Sequence, residues 1–76
     1  MKQYKVYTTE RFEREMNKID KVYQDQIKKI FLQLKDNPYA GDQLRYKFLR
    51  EKRIKEKRLY YLVYDDLLAI LVVGLS

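Results

Sequence analysis

Cysteine and histidine are both absent from these 76 residues, and proline and glycine are nearly so, with one and two copies. Without cysteine, no disulfide or thiolate metal site can reinforce so small a fold, and the chain suits a reducing compartment. Without histidine, the commonest general base, the commonest metal ligand and every Ser-His or Cys-His nucleophilic pair are excluded. Long apolar runs are missing too. The longest, Leu67 to Leu75, falls far short of the roughly 20 residues that span a bilayer, and Met1 to Thr9 has no apolar signal-peptide core. The sequence reads as one soluble, cytoplasmic domain, residues 1–76, with no cofactor, metal or membrane partner implied.

What the sequence does have is positive charge, unevenly placed. The net charge is +6, from 17 basic and 11 acidic residues. Eight of the basic residues (Arg45, Lys47, Arg50, Lys52, Arg53, Lys55, Lys57 and Arg58) and only two of the acidic ones, Glu51 and Glu56, fall between positions 45 and 58. The rest of the chain is neutral, so this one segment holds the whole excess. Tyr46, Phe48, Tyr60, Tyr61 and Tyr64 are interleaved with it or follow at once. Cations among aromatic rings suit phosphates and unpaired bases. A docking surface for an acidic protein, or a solvated hairpin without special purpose, would account for the same composition.

Tyr4 to Thr8 alternates as a strand does, and Thr9 can cap a helix whose first turn carries Glu10 and Glu13. Phe12, Met16 and Ile19 recur at helical spacing, and Asp20 breaks and recaps the chain. A second helix follows, with Tyr23, Ile27, Ile30, Phe31 and Leu34 on one face and Gln24, Asp25, Lys28, Lys29 and Lys35 on the other. Pro38 biases Asn37 away from helical geometry and ends it, and Gly41 marks a turn. Three β-prone runs come next, Leu44 to Ile54, Arg58 to Tyr64 and Leu67 to Leu75, separated by Lys55-Glu56-Lys57 and Asp65-Asp66.

The predicted fold is α+β in the order β-α-α-β-β-β, a helical hairpin packed on one face of a mainly antiparallel sheet whose other face stays partly open. The expected sheet side of the core is Val6, Leu59, Tyr61, Val63, Leu71 and Val73. Strand alternation puts Arg58 opposite in direction to Tyr61, on the open face.

The order of elements and several local patterns resemble the RelE/ParE superfamily, the toxins of type II toxin–antitoxin systems, over nearly the whole chain. The resemblance rests on the strand Tyr4 to Thr8 entering a helix through Thr9-Glu10-Arg11-Phe12, on the second helix ending in Leu34-Lys35-Asp36-Asn37-Pro38, and on the Gly41 to Leu44 approach to the meander. Its sharpest part runs from Lys52 to Tyr61 and is similar to the family's hairpin of a basic strand end, a short turn and a Tyr-Arg strand start. Arg53 and Arg58 fall on that hairpin's two recurrent arginines.

The resemblance implies a RelE-like fold, a cognate antitoxin protein as partner, and metal-independent, ribosome-dependent cleavage of mRNA, the activity of an mRNA interferase. The family turn usually has Gly where Lys55 stands and Tyr where Lys57 stands. Active members commonly follow the last strand with a basic or His-containing stretch and a tyrosine, whereas this sequence finishes at Val73-Gly74-Leu75-Ser76. The expectation is therefore a domain without the family's C-terminal segment and with weakened or absent catalysis. A ParE-like inhibitor of DNA gyrase acting by protein contact, or a non-catalytic RNA- or antitoxin-binding relative, stays open beside it.

RNA cleavage by attack of a 2′-hydroxyl on its own phosphate needs neither a metal nor a protein nucleophile. The protein must stabilise charge on the phosphoryl oxygens and assist removal of the 2′ proton. Arg53 and Arg58 can clamp a phosphate but stay protonated, so Lys52, Lys55 or Tyr60 must take the proton, helped by surrounding positive charge. The candidate catalytic residues are thus Arg53, Arg58 and Lys52, and the candidate RNA-binding residues are Lys47, Arg50, Lys55, Lys57 and Tyr60. Pairing of the arginines with Glu51, Glu56, Asp65 or Asp66 would instead make them ordinary surface residues.

The helix phase has a direct test. Replacing Ile27 or Leu34 by Ala should cost about 2 to 5 kcal/mol, most of the stability of so small a domain. It is measured as the urea midpoint, and an unchanged midpoint would show the phase to be wrong.

Overall fold

Thr9 turns the first strand into the first helix. Its backbone is extended and its Oγ1 accepts the Phe12 N–H at 3.1 Å, so the chain leaves β1 (Lys5–Thr8) and enters α1 (Glu10–Asn17) with one orphan donor satisfied. In this computed structural model, which describes residues 3–76, the turn into α2 (Lys21–Asp36) is held differently from the sequence expectation. Asp20 occupies the N-cap position but its side chain makes no capping hydrogen bond. Gln24 closes the corner instead, donating from Nε2 to the carbonyls of Met16 and Ile19 at 2.9 and 3.3 Å. Asn37 departs from helical geometry (φ −139, ψ 84) just before Pro38, as the proline requires. Met1 and Lys2, the start of the segment read as lacking a signal-peptide core, lie outside the described residues.

The rest of the chain forms β2 (Asp42–Gln43), β3 (Leu49–Ile54), β4 (Lys57–Tyr64) and β5 (Ala69–Leu75). The sheet order is β1-β5-β4-β3-β2, with β1 parallel to β5 and every other pair antiparallel. Both helices supply the core from one face, as the α+β reading expects: Phe12, Ile27 and Leu34 are fully buried against Leu59, Tyr61, Ile70 and Val72. Among the described residues no polar or charged residue is buried.

Three details differ from the sequence reading. The run from Leu44 to Ile54 is not one strand. Asp42 and Gln43 pair with Glu51 and Arg50, and the Leu44 N–H reaches the Leu49 carbonyl at 3.0 Å, so residues 44–48 form the loop of a small hairpin. There Tyr46 and Phe48, β-prone residues, stack on each other with ring centroids 5.2 Å apart.

The second difference is the phase of β5. Leu71 and Val73 were expected in the core, but Ile70, Val72 and Leu75 are buried in their place. Leu59 pairs with Leu75 while Tyr61 pairs with Val72, so one extra residue is accommodated and the register shifts between Tyr60 and Tyr61. Such a bulge puts Leu75 and Val72 on one face despite their odd separation, which simple alternation forbids.

The third is that Leu67 and Leu68 belong to the β4–β5 turn, where Leu68 takes φ 49, rather than to the last strand. The β3–β4 turn is a two-residue loop, Lys55-Glu56, and Lys55 takes φ 54. Two-residue hairpin loops demand this left-handed conformation at their first position, which is why glycine suits it.

The Tyr61 ring is fully buried, and its hydroxyl donates to the Pro38 carbonyl and accepts the Gly41 N–H, both at 2.9 Å. A Cβ on Gly41 would lie 2.5 Å from the Glu51 carbonyl oxygen and 2.6 Å from the Tyr61 hydroxyl, a backbone contact that cannot yield. Tyr61→Phe should therefore lower stability by about 1 to 3 kcal/mol, because it strands a buried donor and acceptor. Gly41→Ala should destabilise too, as the loop is forced off β3. Urea melts of the two variants check this, and a Tyr61→Phe protein as stable as the parent would show that water replaces the hydroxyl at no cost.

Candidate nucleic-acid interface

In the register of β3 and β4, Arg53 stands opposite Arg58, Glu51 opposite Tyr60 and Leu49 opposite Leu62. These residues share the face turned away from the helices, since the intervening Ile54, Leu59, Tyr61 and Val63 are buried. Arg58 uses both its N–H and its carbonyl on Ser76, at 2.9 and 3.0 Å. Towards β3 it is therefore in a non-hydrogen-bonded pair, the kind with Cα atoms about 4.5 Å apart and the closer side chains. Two arginines are thus held side by side on the open face. Like charges directly opposite each other destabilise a sheet. One carboxylate relieves this in part: Glu51 Oε2 lies 3.8 Å from Arg58 Nη1.

The basic segment does not stay together. Lys52 stands opposite buried Leu59, on the helix-bearing face, away from Arg53 and Arg58. Lys55 and Lys57 direct their ammonium groups over the Tyr23 ring of α2, at 5.9 and 5.5 Å from its centroid. Arg50 is tied to main-chain carbonyls, of Gly41 at 3.1 Å and Lys47 at 2.9 Å, and lies 5.0 Å over the Tyr39 ring. Lys47 sits over the same ring at 5.7 Å. Tyr60 is on the open face beside the arginine pair, and its hydroxyl accepts from Ser76 Oγ at 3.2 Å. The fold thus gathers Arg53, Arg58, Tyr60 and Glu51 at one end of the open face. It places Lys47 and Arg50 with Tyr39 near the other end of β3.

Chemically, two cross-strand arginines on the open face bring two guanidinium groups, each able to bind a phosphate in a bidentate manner, to neighbouring positions. The arginines can stabilise negative charge but cannot act as a base. Among the described residues no group of three or more Asp or Glu side chains is placed to hold a metal ion. No helix among them is long and apolar enough to cross a membrane.

A carboxylate that the sequence offered as a turn residue or an arginine partner instead ties three segments together. Asp65, in the β4–β5 turn, accepts from the Tyr4 hydroxyl at 2.6 Å and from the Tyr39 hydroxyl at 2.5 Å. Those two donors, Tyr39 first, hold its carboxyl below the ordinary 3.8. In return the Asp65 carboxylate pushes the Tyr39 hydroxyl up to about 12 and raises that of Tyr4. Nothing local in the sequence signals this, because the partners are 61 and 26 residues away.

Neither a protein-family model nor a curated protein matches this sequence. Solved structures do. A chain of the intact Escherichia coli RelBE toxin–antitoxin complex superposes with a TM-score of 0.84 at 21% identity, over 96% of this chain and 94% of that one. A chain of the RelBE2 toxin–antitoxin complex of Mycobacterium tuberculosis gives 0.86 at 21%, over 100% and 92%. A mutant of the E. coli toxin RelE in the free state gives 0.86 at 20%, over 97% and 82%. The fold is that of RelE: two helices on one face of a mixed five-stranded sheet.

The pH dependence of the Asp65 network can be measured. A carboxyl lowered on folding contributes stability that is present above its ordinary value and lost as pH falls through its folded value. A tyrosine raised on folding contributes stability that is present below about 10 and lost as pH rises through its folded value. Asp65→Asn should therefore lie furthest below the parent in melting temperature at neutral pH and converge with it as pH falls through the lowered carboxyl value. The parent should lose its advantage again as pH rises towards 12, the Tyr39 value. A constant gap across the acid range would rule out the carboxylate as its source.

Proposed function

We propose that this chain is the toxin component of a toxin–antitoxin pair and that the open face of its sheet binds RNA, with cleavage of mRNA on the ribosome as its activity. The observation that carries the reading is the like-charged pair, Arg53 opposite Arg58, on the uncovered face of a RelE fold. A fold of this size has little stability to spare, and a repulsive cross-strand pair in it calls for an anion between the two charges. The phosphodiester of a single strand is such an anion. The RelBE complexes that this chain resembles pair a toxin with an antitoxin, and a cognate antitoxin is the protein partner proposed here.

Arg53 and Arg58 hold the scissile phosphate and stabilise the charge that gathers on its oxygens. Of the three groups considered for the 2′ proton, Tyr60 is the one that strand alternation delivers to the same face. Lys52 is on the opposite face and takes no part in the clamp. Lys55 and Lys57, gathered at Tyr23, add positive potential at the turn and favour approach of the strand.

Arg53→Ala and Arg58→Ala should each flatten the salt dependence of single-stranded RNA binding by about 0.7 in log-log slope, and the double variant by about 1.4. Lys28→Ala and Lys35→Ala on α2 should change it little. In a translation-coupled assay, cleavage should fall by about 100-fold per arginine, more than binding does. Equal slopes for clamp and helix variants would remove the RNA reading. Inhibition of gyrase supercoiling without cleavage would replace it with a ParE-like one.

A further inference from the structure

The loop between β2 and β3 exposes an aromatic pair that the arginine clamp does not use. The Tyr46 and Phe48 rings are parallel to within 5° at a centroid distance of 5.2 Å. Each keeps about half its surface in solvent, 49% for Tyr46 and 50% for Phe48; Tyr7, Val22, Leu32 and Leu67 are exposed too, but none of them belongs to a stacked aromatic pair. The pair contributes nothing to that core, and two adjacent half-exposed rings are a liability unless something covers them. The Arg45 guanidinium lies 5.7 Å over the Tyr46 ring. From Gln43 to Arg50 there is no acidic residue, while Arg45, Lys47 and Arg50 are basic. What covers the rings must therefore combine a planar apolar face with negative charge, which describes a nucleobase on its phosphate.

We propose that Tyr46 and Phe48 form a stacking platform for an unpaired RNA base, on the same strand whose phosphate Arg53 and Arg58 clamp. The proposal rests on the RNA reading above and adds a second, sequence-tolerant contact to it. The two contacts sit towards opposite ends of β3. Phe48 lies five positions before Arg53, about 16 Å along an extended chain, a distance that a flexible single strand can bridge. The clamp recognises charge and the platform recognises a π face, so the two differ in their response to salt. Stacking of a base on an aromatic ring releases no counterions and should not alter the salt slope.

The test is a salt series of dissociation constants for a fluorescent ten-nucleotide oligouridylate with four proteins. These are the parent, the double variant Tyr46→Ala with Phe48→Ala, the single variant Phe48→Leu, and Arg58→Ala. The aromatic double variant should weaken binding about 5- to 150-fold at every salt concentration, the range for loss of a base-stacking contact, with an unchanged slope. Phe48→Leu, which keeps apolar bulk but no ring, should lose a substantial part of the same affinity. Arg58→Ala should instead lower the slope by about 0.7. All three replace exposed or partly exposed side chains, so the fold should be retained, as circular dichroism can verify.

If the double variant binds like the parent while Arg58→Ala does not, the platform is wrong and the clamp stands. Weakened antitoxin binding in that case would identify the rings as a protein-docking surface. If the double variant loses affinity and its slope changes as well, the rings act through the placement of charge rather than by stacking, which also overturns the proposal. If neither variant differs from the parent, the platform and the RNA reading fall together.

Discussion

The Tyr61 hydroxyl is the contact on which the rest of the arrangement depends. Its ring occupies the centre of the core, and burial pushes its hydroxyl pKa up, so the group stays neutral and bridges the Pro38 carbonyl and the Gly41 N–H. That bridge draws the end of α2 against the sheet and leaves Gly41 too close to the Glu51 carbonyl for any side chain. With Gly41 in place, Asp42 and Gln43 pair with Glu51 and Arg50, and the Gly41 carbonyl receives the Arg50 guanidinium. Arg50 then lies over Tyr39, Tyr39 donates to Asp65, and Asp65 holds Tyr4 ahead of the first strand. One buried hydroxyl therefore anchors a chain of contacts that runs across the sheet, from its β2 edge to the approach to β1.

The bulge in β5 decides what the other face can do. With Val72 and Leu75 both turned inwards, the interior face is filled without help from Leu71 and Val73, which stay only partly buried. The open face keeps Tyr60, Leu62 and Leu71 in its middle, with the arginine pair at one end. A sheet covered on both faces could not hold two uncompensated guanidinium groups, because their desolvation would exceed what one carboxylate returns. Exposure lowers the cost of the pair, and the repulsion that remains is what a bound anion would relieve.

Much of this was legible in the sequence. Helical spacing of Phe12, Ile27 and Leu34 identified the helical side of the core, and period-two alternation in Leu59, Tyr61 and Val63 put Arg58 on the open face. Both signals are local, and local period survives tertiary context when an amphipathic element packs on one side only. The failures share the opposite cause. The phase of β5 depends on a bulge created by its pairing with β4. The break between Leu44 and Phe48 depends on a two-residue partner strand, and the tie between Asp65 and Tyr4 spans 61 positions. Lys52 was grouped with Arg53 by adjacency, although adjacent residues in a strand point to opposite faces.

The fold also changes the meaning of the +6 net charge. As composition, eight cations in one segment look like a single patch. In three dimensions Arg50 is engaged by main-chain carbonyls, Lys55 and Lys57 gather over Tyr23, and Glu51 offsets Arg58. What is left outward is a sparse and directional set: an arginine pair at one end of the open face, and, at the far end of β3, Arg45 beside the exposed rings with Lys47 over Tyr39. A diffuse patch attracts any polyanion with little preference for its conformation. Separated cations, each next to a surface of different chemistry, favour a flexible strand whose phosphates and bases can reach both places, and a rigid duplex, with its bases stacked inside, cannot offer the second contact.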